Sequence, residues 1–258
     1  MSLREKIVAK SAHVGVIGLG YVGLPLAVTA AKAGFPVTGF DVDPTKMTRL
    51  DAGKSYIEAV EDSDLAEVKD SFDWSTDFSG LAGCDVIVIC VPTPLTASRE
   101  PDLSYIEQTA ETIAKHITKD TLVALESTTW PGTTEEVLGP ILAKSGLEPG
   151  QDIFLGFSPE REDPGNEKYR TKTIPKIVAG DGAEAGELME LFYSAVVETA
   201  VRVPTTATAE AVKITENIFR AVNIALVNEL KLFYDKMGID IWDVIDGAAT
   251  KPFGYLPF

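Results

Sequence analysis

Short apolar runs alternate along this chain with longer segments in which apolar residues recur at helical spacing. The apolar runs predict strands at 14–17, 37–41, 85–91, 121–125, 153–157, 176–179 and 201–203. The segments of helical spacing predict helices at 23–33, 44–53, 64–69, 104–117, 133–145, 183–193, 206–237 and 241–249. Because strands and helices alternate in this order, the pattern predicts an α/β fold with a doubly wound parallel sheet.

A glycine-rich turn lies between the first predicted strand and the first predicted helix. It reads Gly18-Leu19-Gly20-Tyr21-Val22-Gly23, and Asp41 follows 18 residues beyond Gly23, at the end of the second strand. This context indicates a Rossmann-like dinucleotide site, with the pyrophosphate against the turn and the adenosine ribose against the acid. A carboxylate at that position favours NAD, since it would repel the 2′-phosphate of NADP. The alternative is a glycine-rich turn without a ligand.

Composition narrows the classes of partner. The 258 residues include 23 Lys and Arg against 39 Asp and Glu, a formal net charge of −16. So acidic a chain repels polyanions, which argues against nucleic acid as a partner. A phosphate-bearing ligand must then be held locally, by backbone N–H groups and a few placed cations.

Other sequence features argue against membrane, disulfide and metal-binding classes. Residues 14–31 carry no formal charge, but their four glycines and Pro25 predict a buried strand and helix rather than a membrane span. Residues 1–12 are charged and lack a signal-peptide core, which favours the cytoplasm. Cys84 and Cys90 fall in a strand region and are interpreted as structural. The isolated His13 and His116 give no metal site.

Three unusual segments stand where predicted strands end. They are Val91-Pro92-Thr93-Pro94, Glu126-Ser127-Thr128-Thr129 and Ser158-Pro159-Glu160-Arg161. One such segment alone would be an ordinary turn, since Pro, Ser and Thr are common in turns. Because ligands of open α/β sheets bind beyond the carboxyl ends of the strands, three together predict a lined cleft. After the second segment, Thr133 and Glu136 offer a capping box for the next helix.

Pro204 marks a predicted boundary between a dinucleotide-binding domain, 1–204, and the start of an all-helical central domain, 205–258. The long helix 206–237 is apolar around most of its circumference, which predicts that it is buried between domains or against a second subunit. On this helix Lys213, Asn217 and Arg220 share one face. That face is either a solvated or subunit-bridging stripe, or it meets an anionic substrate or a developing oxyanion.

Five motifs in order carry a resemblance to a known family. They are 18–23, 91–94, Glu126-Ser-Thr-Thr-Trp-Pro-Gly-Thr133, 158–161 and Ala209-Glu-Ala-Val-Lys213-Ile-Thr-Glu-Asn217. Together they resemble the UDP-glucose/GDP-mannose dehydrogenase family over essentially the whole chain. Segments 159–166 and 250–258 are most similar to members that act on UDP-N-acetylglucosamine, with UDP-N-acetylmannosamine and UDP-glucose as alternatives.

The resemblance implies oxidation of the C6 alcohol of a nucleotide sugar to a carboxylate, with two NAD reduced in turn. It also implies that a cysteine holds the aldehyde stage as a thiohemiacetal, which is then oxidised to a thioester that water hydrolyses. The product would belong to a pathway towards surface polysaccharide. In this family Lys213 and Asn217 would stabilise the oxyanion, Glu160 would act as general base in thioester hydrolysis, and Thr128 would position water.

The resemblance also implies binding residues. Those for NAD would be Gly18, Leu19, Gly20, Tyr21, Val22, Gly23, Asp41, Lys46, Val91, Pro92, Thr93, Ser127 and Thr128. Those for the UDP-sugar would be Glu160, Arg161, Lys213, Asn217, Arg220, Phe253, Gly254 and Tyr255. Independently of the resemblance, the apolar circumference of helix 206–237 predicts a homodimer or larger homo-oligomer formed through this helix.

One departure from the family pattern limits this interpretation. The family's nucleophile lies in a Gly-Gly-His-Cys segment expected shortly after Phe258, followed by a nucleotide-binding third domain, and the sequence contains neither. The chain is therefore expected to be an N-terminal fragment that binds NAD without completing turnover. Two alternatives stay open: a β-hydroxyacid-type dehydrogenase that accepts small acids, and an NAD-responsive binding or dimerisation module without turnover.

Overall fold

The computed structural model describes residues 1–161 and 171–257. Its strands are β1 (Val14–Ile17), β2 (Val37–Phe40), β3 (Phe72–Ser75), β4 (Val86–Ile89), β5 (Thr121–Leu125), β6 (Ile153–Phe157), β7 (Lys176–Gly180) and β8 (Ala200–Arg202). Its α-helices are α1 (Leu3–Val8), α2 (Gly23–Lys32), α3 (Pro44–Asp51), α4 (Asp62–Glu67), α5 (Ser104–Ala114), α6 (Gly139–Leu142), α7 (Ala183–Val196), α8 (Thr206–Asp235) and α9 (Ile241–Ala249). Short 3₁₀ helices span Phe78–Gly83 and Ala143–Ser145, and a π-helical turn spans Thr134–Leu138.

The described strands form one sheet in the order β3-β2-β1-β4-β5-β6-β7-β8. Every neighbouring pair is parallel except β6 and β7, which run antiparallel. The predicted doubly wound, Rossmann-like sheet is confirmed, and the expected parallel pairing is wrong only for β6 and β7 among the described strands. An antiparallel pair needs no crossover helix between its strands.

Helices cover both faces of the sheet and bury its strands from two sides. On one face α1, α2 and α7 pack against Val14, Val16, Val86 and Val88. On the other face α5 and α6 pack against Ile87, Ile89, Val123 and Leu125. Burying one such side chain contributes roughly 1.5–3 kcal/mol, and burial on both faces explains the nearly unbroken apolar runs of the inner strands.

The strand register sets the ends of five strands side by side. Ile17 pairs with both Phe40 and Ile89, while Leu125 pairs with both Ile89 and Phe157. The residues that follow these strand ends therefore lie in one row along one edge of the sheet: Gly18, Asp41, Cys90, Glu126 and Ser158. Strand order and register together bring the polar segments of the sequence to a common edge.

One α-helix and one strand of the structure were not predicted from the sequence. Helix α1 has only Leu3 and Ile7 to mark its buried face, and a capping box between Ser2 and Glu5 begins it. The edge strand β3 buries only Phe72 fully, so it carries little of the apolar signal of an inner strand. Both are short, so their stability depends on packing against the rest of the fold rather than on local pattern, α1 against α7 and β3 beside β2.

The chain divides into two compact units, Met1–Lys213 and Ile214–Phe258. Within α8, only Thr206, Ala209 and Glu210 are buried. Apolar side chains further along this helix are exposed in the single chain, among them Ile218, Phe219, Val222, Ile224, Leu226, Leu232 and Phe233. The single chain leaves most of this helix exposed, so its burial between domains or against a second subunit stays a prediction. In the described ranges, no helix is both long and apolar enough to cross a membrane.

The helical segment after β5 is capped by a distant residue instead of by the predicted capping box. Thr133 makes no cap hydrogen bond and donates its hydroxyl to the Trp130 carbonyl. The fully buried Glu210 carboxylate, on α8, accepts from the Gly132 N–H at 2.6 Å and from the Thr134 N–H and hydroxyl at 2.9 and 2.7 Å. A carboxylate at the start of a helical segment satisfies N–H groups that would otherwise lack partners.

Glu210 is expected to make stability depend on pH in an unusual direction. Burial raises the pKa of this carboxyl from its ordinary 4.5, although hydrogen bonds from Thr134 and Gly132 act against the rise. Because the folded state holds the proton of Glu210 more tightly than the unfolded state does, the protonated side chain stabilises the fold. This contribution to the free energy of unfolding is complete below the unfolded-state pKa and is lost as pH rises through the folded-state pKa. The free energy of unfolding of the wild type, relative to that of Glu210→Gln, should therefore fall as pH rises above the ordinary pKa of 4.5.

Urea unfolding of the two proteins from acid to neutral pH measures the difference between their free energies of unfolding. Because the other carboxyls titrate in both proteins, their contribution cancels in this difference. An advantage that grows with pH would contradict the prediction. It would mean that the three donors favour the charged form more than burial disfavours it.

Candidate functional site

The glycine turn is a tight junction between β1, α2 and the end of β4. Gly18 has φ +89°, a conformation that side-chain-bearing residues rarely adopt, and a Cβ there would lie 2.7 Å from the Cys90 carbonyl oxygen. A Cβ on Gly23 would lie 1.9 Å from the Gly18 carbonyl oxygen. By contrast, a Cβ on Gly20 would meet no atom within 4 Å. Two glycines thus allow close packing of the turn, while the third faces open space.

Helix α2 begins at this turn with its first N–H groups uncapped by side chains. Val22 makes no side-chain cap hydrogen bond, and the first turn of α2 contains no acidic residue. N–H groups and the helix dipole at such a terminus favour an anion. Together with the open space beside Gly20, this end of α2 fits the pyrophosphate of a dinucleotide.

Asp41 joins the glycine turn to the start of α3. Its buried carboxylate accepts from the Leu19 N–H at 2.8 Å, from the Asp43 N–H at 3.0 Å and from the Lys46 ammonium at 2.6 Å. Tyr56 donates to the Leu19 carbonyl from the other side, and its pKa is raised by burial and then by the nearby Asp41 and Asp43 charges. Asp41 therefore has a structural role in the turn as well as the expected place for a ribose.

A large open cleft of about 850 Å³ runs along the carboxyl edge of the sheet. This volume lies in the upper part of the ~300–1,000 Å³ range of typical small-molecule sites and suits an extended dinucleotide. Predicted residues that line the cleft are Gly18, Gly20, Tyr21, Val22, Asp41, Lys46, Val91, Pro92, Thr93, Ser127, Thr128 and Glu160. Leu19 and Gly23 do not line it, because the Leu19 side chain is buried and Gly23 packs within the turn.

Sequence reasoning missed one wall of this cleft. Tyr105, Gln108, Thr109 and Thr112 line it from α5, and Phe78 lines it from a 3₁₀ helix. The four α5 residues follow helical spacing on the face next to the one that buries Ile106 and Ile113. That polar stripe is visible in the sequence, but an ordinary solvent-exposed face has the same pattern.

The loop after β5 lies in the half of the cleft away from Asp41. The Ser127 hydroxyl donates to the Val91 carbonyl at 2.7 Å, which ties together the loops that follow β4 and β5. Thr128 is half-buried and lines the cleft. The next residue, Thr129, is buried, and among the described residues its hydroxyl has no hydrogen-bond partner. The Ser-Thr-Thr run gave no sign of which hydroxyl would be buried.

Two of the predicted catalytic side chains meet in the first unit. The Lys213 ammonium donates to the Glu160 backbone carbonyl, and it lies 3.4 Å from the Glu160 carboxylate. The two side chains are only 12% and 20% exposed, so the charges are partly shielded from water. Glu160 also lines the cleft, as Thr128 does. Arg161 donates to the Pro175 carbonyl at 2.7 Å.

The remaining predicted substrate residues lie in the second unit. Asn217 and Arg220 are exposed on α8, and Phe253 and Gly254 are exposed beyond α9 with Tyr255 half-buried. Their roles remain predictions. Residues 162–166 of the segment 159–166, and Phe258, lie outside the described residues.

The two cysteines have different surroundings. Cys84 is buried before β4, and burial, with the nearby Asp85 charge, raises the pKa of its thiol to about 12. A thiol of that pKa is protonated and inert at neutral pH. Cys90 follows β4, is mostly buried and contributes to the wall of the cleft.

Two family patterns match consecutive parts of the chain. Residues 12–197 match the NAD binding domain of the UDP-glucose/GDP-mannose dehydrogenase family, and residues 207–258 match its central domain. The first match covers the glycine turn, Asp41 and the three strand-end segments, so the dinucleotide indicated by the geometry is NAD.

Individual relatives agree with this assignment. The chain is 39% identical over 253 residues to the UDP-N-acetyl-D-glucosamine 6-dehydrogenase of Pseudomonas aeruginosa, covering 96% of this chain and 59% of the relative. The solved structure of the UDP-D-ManNAc dehydrogenase of Pyrococcus horikoshii superposes with a TM-score of 0.88 at 36% identity, covering 94% of this chain and 58% of that one. The chain thus spans under three fifths of the length of these relatives.

A more distant structure shares the fold alone. The 3-hydroxyisobutyrate dehydrogenase of Salmonella typhimurium gives a TM-score of 0.67 at 19% identity, covering 96% of this chain and 76% of that one. Fold likeness at this level does not carry over function. The match over 12–197, the 39% identical relative and the cleft beside the glycine turn agree: the chain belongs to the UDP-glucose/GDP-mannose dehydrogenase family.

Proposed function

We propose that this chain is the NAD-binding and partly catalytic portion of a nucleotide-sugar 6-dehydrogenase, with UDP-N-acetylglucosamine as the first candidate substrate. The observation that carries the proposal is the contact of Lys213 with Glu160, a residue of the same cleft that the glycine turn and Asp41 line. A cation held near such a cleft suits stabilisation of negative charge on a substrate oxygen.

The proposed reaction converts R–CH₂OH, water and two NAD⁺ into R–COO⁻, two NADH and three protons. NAD is the hydride acceptor in both oxidations. Lys213, with Asn217, stabilises the oxygen that gains negative charge, and Glu160 accepts a proton from the attacking water. Thr128 orients that water. Cys84 does not serve as the thiol that holds the aldehyde stage, because burial raises the pKa of its thiol and keeps it protonated.

Partner and compartment are part of the same proposal. The exposed apolar side chains of α8 support a homodimer or larger homo-oligomer formed through this helix. Two free cysteines are consistent with the cytoplasm. UDP-N-acetylmannosamine and UDP-glucose are the alternative substrates.

Calorimetric titration tests the proposal directly. NAD is added first, and UDP-N-acetylglucosamine, UDP-N-acetylmannosamine and UDP-glucose are then titrated separately into the NAD-saturated chain. We expect NAD to bind and one UDP-sugar to bind in addition. Binding of NAD without any UDP-sugar would favour the NAD-responsive module, and binding of a small hydroxy acid instead would favour the β-hydroxyacid alternative.

Lys213→Ala is expected to leave NAD affinity unchanged and to slow the formation of NADH from the bound UDP-sugar by about a hundredfold or more. The lost ammonium contributes to oxyanion stabilisation, which is worth about 10²–10³ in rate where it has been removed from other sites. Absorbance of NADH in a single-turnover mixture is the measurement. Lys231→Ala is the matched control, since Lys231 lies on the same helix in an exposed pair with Asp235. An unchanged rate of NADH formation in Lys213→Ala would contradict a catalytic role.

A further inference from the structure

Beneath the loop after β5 lies a buried cluster of one acid, one base and one phenol. Glu126 is 1% exposed, and the Lys176 ammonium approaches one of its carboxylate oxygens at 2.8 Å. The Tyr193 hydroxyl donates to the other oxygen at 2.5 Å, and the Lys176 ammonium lies 5.3 Å from the centre of the Tyr193 ring. We call Glu126, Lys176 and Tyr193 the buried triad.

The buried triad connects three elements that are far apart in the chain. Glu126 directly follows β5, Lys176 is the first residue of β7, and Tyr193 lies in α7. Taking two charges out of water costs several kcal/mol per ion, and apolar residues of similar size often stabilise a fold equally well. Stability alone is therefore a weak explanation for a charged pair in this position.

The triad also reaches the cleft. Glu126 itself lines the cleft, next to Ser127 and Thr128. In the sheet order, β5 lies beyond β1 and β4 on the side away from β2, which carries Asp41. A dinucleotide that spans the carboxyl edge with its adenosine ribose at Asp41 therefore places its nicotinamide half at the ends of β4 and β5.

The surroundings of Tyr193 keep its hydroxyl protonated, so that it can donate a hydrogen bond. Burial and the Glu126 charge raise the pKa of this phenol well above its ordinary value, and Cys90 and Ser158 also interact with it. The protonated hydroxyl and the Lys176 ammonium together satisfy both oxygens of Glu126. The Glu126 side chain is thereby fixed in one orientation, and the backbone that leads into Ser127 and Thr128 is fixed with it.

We propose that the buried triad is a positioning device that holds the loop after β5 against the nicotinamide half of bound NAD. The proposal rests on the NAD site described above and deepens it. Lys176 and Tyr193 act through Glu126 and the loop, so they are positioning residues and not catalytic ones.

Two variants test the proposal on the whole 258-residue chain. Tyr193→Phe removes one hydrogen bond to Glu126 and keeps the aromatic ring, while Lys176→Met removes the cation and keeps most of the aliphatic stem. Two probes are titrated: NADH, whose emission increases when its dihydronicotinamide ring is immobilised, and ADP-ribose, which lacks the nicotinamide. Lys6→Met is the matched control, because it breaks the 2.6 Å ion pair with Asp85 at the opposite edge of the sheet.

We expect the emission gain of bound NADH to fall about threefold or more in both triad variants, while ADP-ribose affinity stays within about twofold of the wild type. Lys6→Met should change neither quantity. An unchanged emission gain in folded Tyr193→Phe would overturn the proposal, as would equal weakening of NADH and ADP-ribose, since a merely structural role predicts the latter.

The remaining outcomes separate this proposal from the proposed function. If the wild type binds ADP-ribose but bound NADH gains no emission, the positioning proposal fails and the dinucleotide site stands. If the wild type binds neither probe, both fail. If Lys176→Met does not fold, as a buried unpaired carboxylate can cause, Tyr193→Phe decides by itself.

Discussion

Replacing Gly23 with alanine is expected to abolish NAD binding and to lower the melting temperature of the chain. A Cβ at this position would lie 1.9 Å from the Gly18 carbonyl oxygen, which is backbone and cannot rotate away. The start of α2 must then move away from β1, and overpacking of this kind costs about 1–3 kcal/mol or more. The displaced helix terminus would no longer present its N–H groups to a pyrophosphate.

Two other glycines make this experiment specific. Gly83→Ala is the control, because its Cβ would meet no atom within 4 Å and the residue lies outside the cleft. Gly20→Ala should keep the wild-type melting temperature and still lose NAD binding, since its Cβ would enter the open space that a pyrophosphate needs. Calorimetry with NAD and thermal unfolding give both quantities. Wild-type NAD affinity in both Gly20→Ala and Gly23→Ala would rule out the turn as the pyrophosphate site.

The second large effect is expected at Asp41. Asp41→Asn should weaken NAD binding roughly ten- to a hundredfold, which corresponds to the 1.5–3 kcal/mol of hydrogen bonds to a charged group. The same change should improve NADP binding relative to NAD, because the repulsive carboxylate is gone and the Lys46 ammonium, now 2.6 Å from Asp41, remains for a 2′-phosphate. The measured quantity is the ratio of the two dissociation constants.

Asp77→Asn provides the control for Asp41→Asn. Asp77 accepts from the Ser79 N–H in a local turn, much as Asp41 accepts from Asp43, but it does not line the cleft. Its variant should keep the wild-type NAD-to-NADP ratio. If Asp41→Asn also keeps the wild-type ratio of the NAD and NADP dissociation constants, Asp41 serves only to hold Leu19 and the turn.

These expectations differ in how far they depend on the tertiary structure. The Gly20 and Asp41 substitutions follow from the sequence, since the turn and the acid belong to one strand–turn–helix–strand unit. The expected size of the Gly23→Ala effect depends on the tertiary structure, because it follows from the distance between the added Cβ and the Gly18 carbonyl oxygen. The prediction for Glu210 could not be made from the sequence, because Thr133 and Glu136 gave an adequate local capping box and the actual cap lies 76 residues away along the chain.

The sequence by itself determined the fold class, the NAD cofactor and the family, because each can be inferred from apolar periodicity and from motifs that are local in the chain. Apolar runs form strands, glycines permit the tight turn, and an acid after β2 reaches the same cleft. The tertiary structure alone decided the antiparallel β7, the contact of Lys213 with Glu160 and the buried triad around Glu126. A charged side chain can be buried only where a partner from elsewhere in the chain satisfies it, and that partner cannot be identified from local pattern.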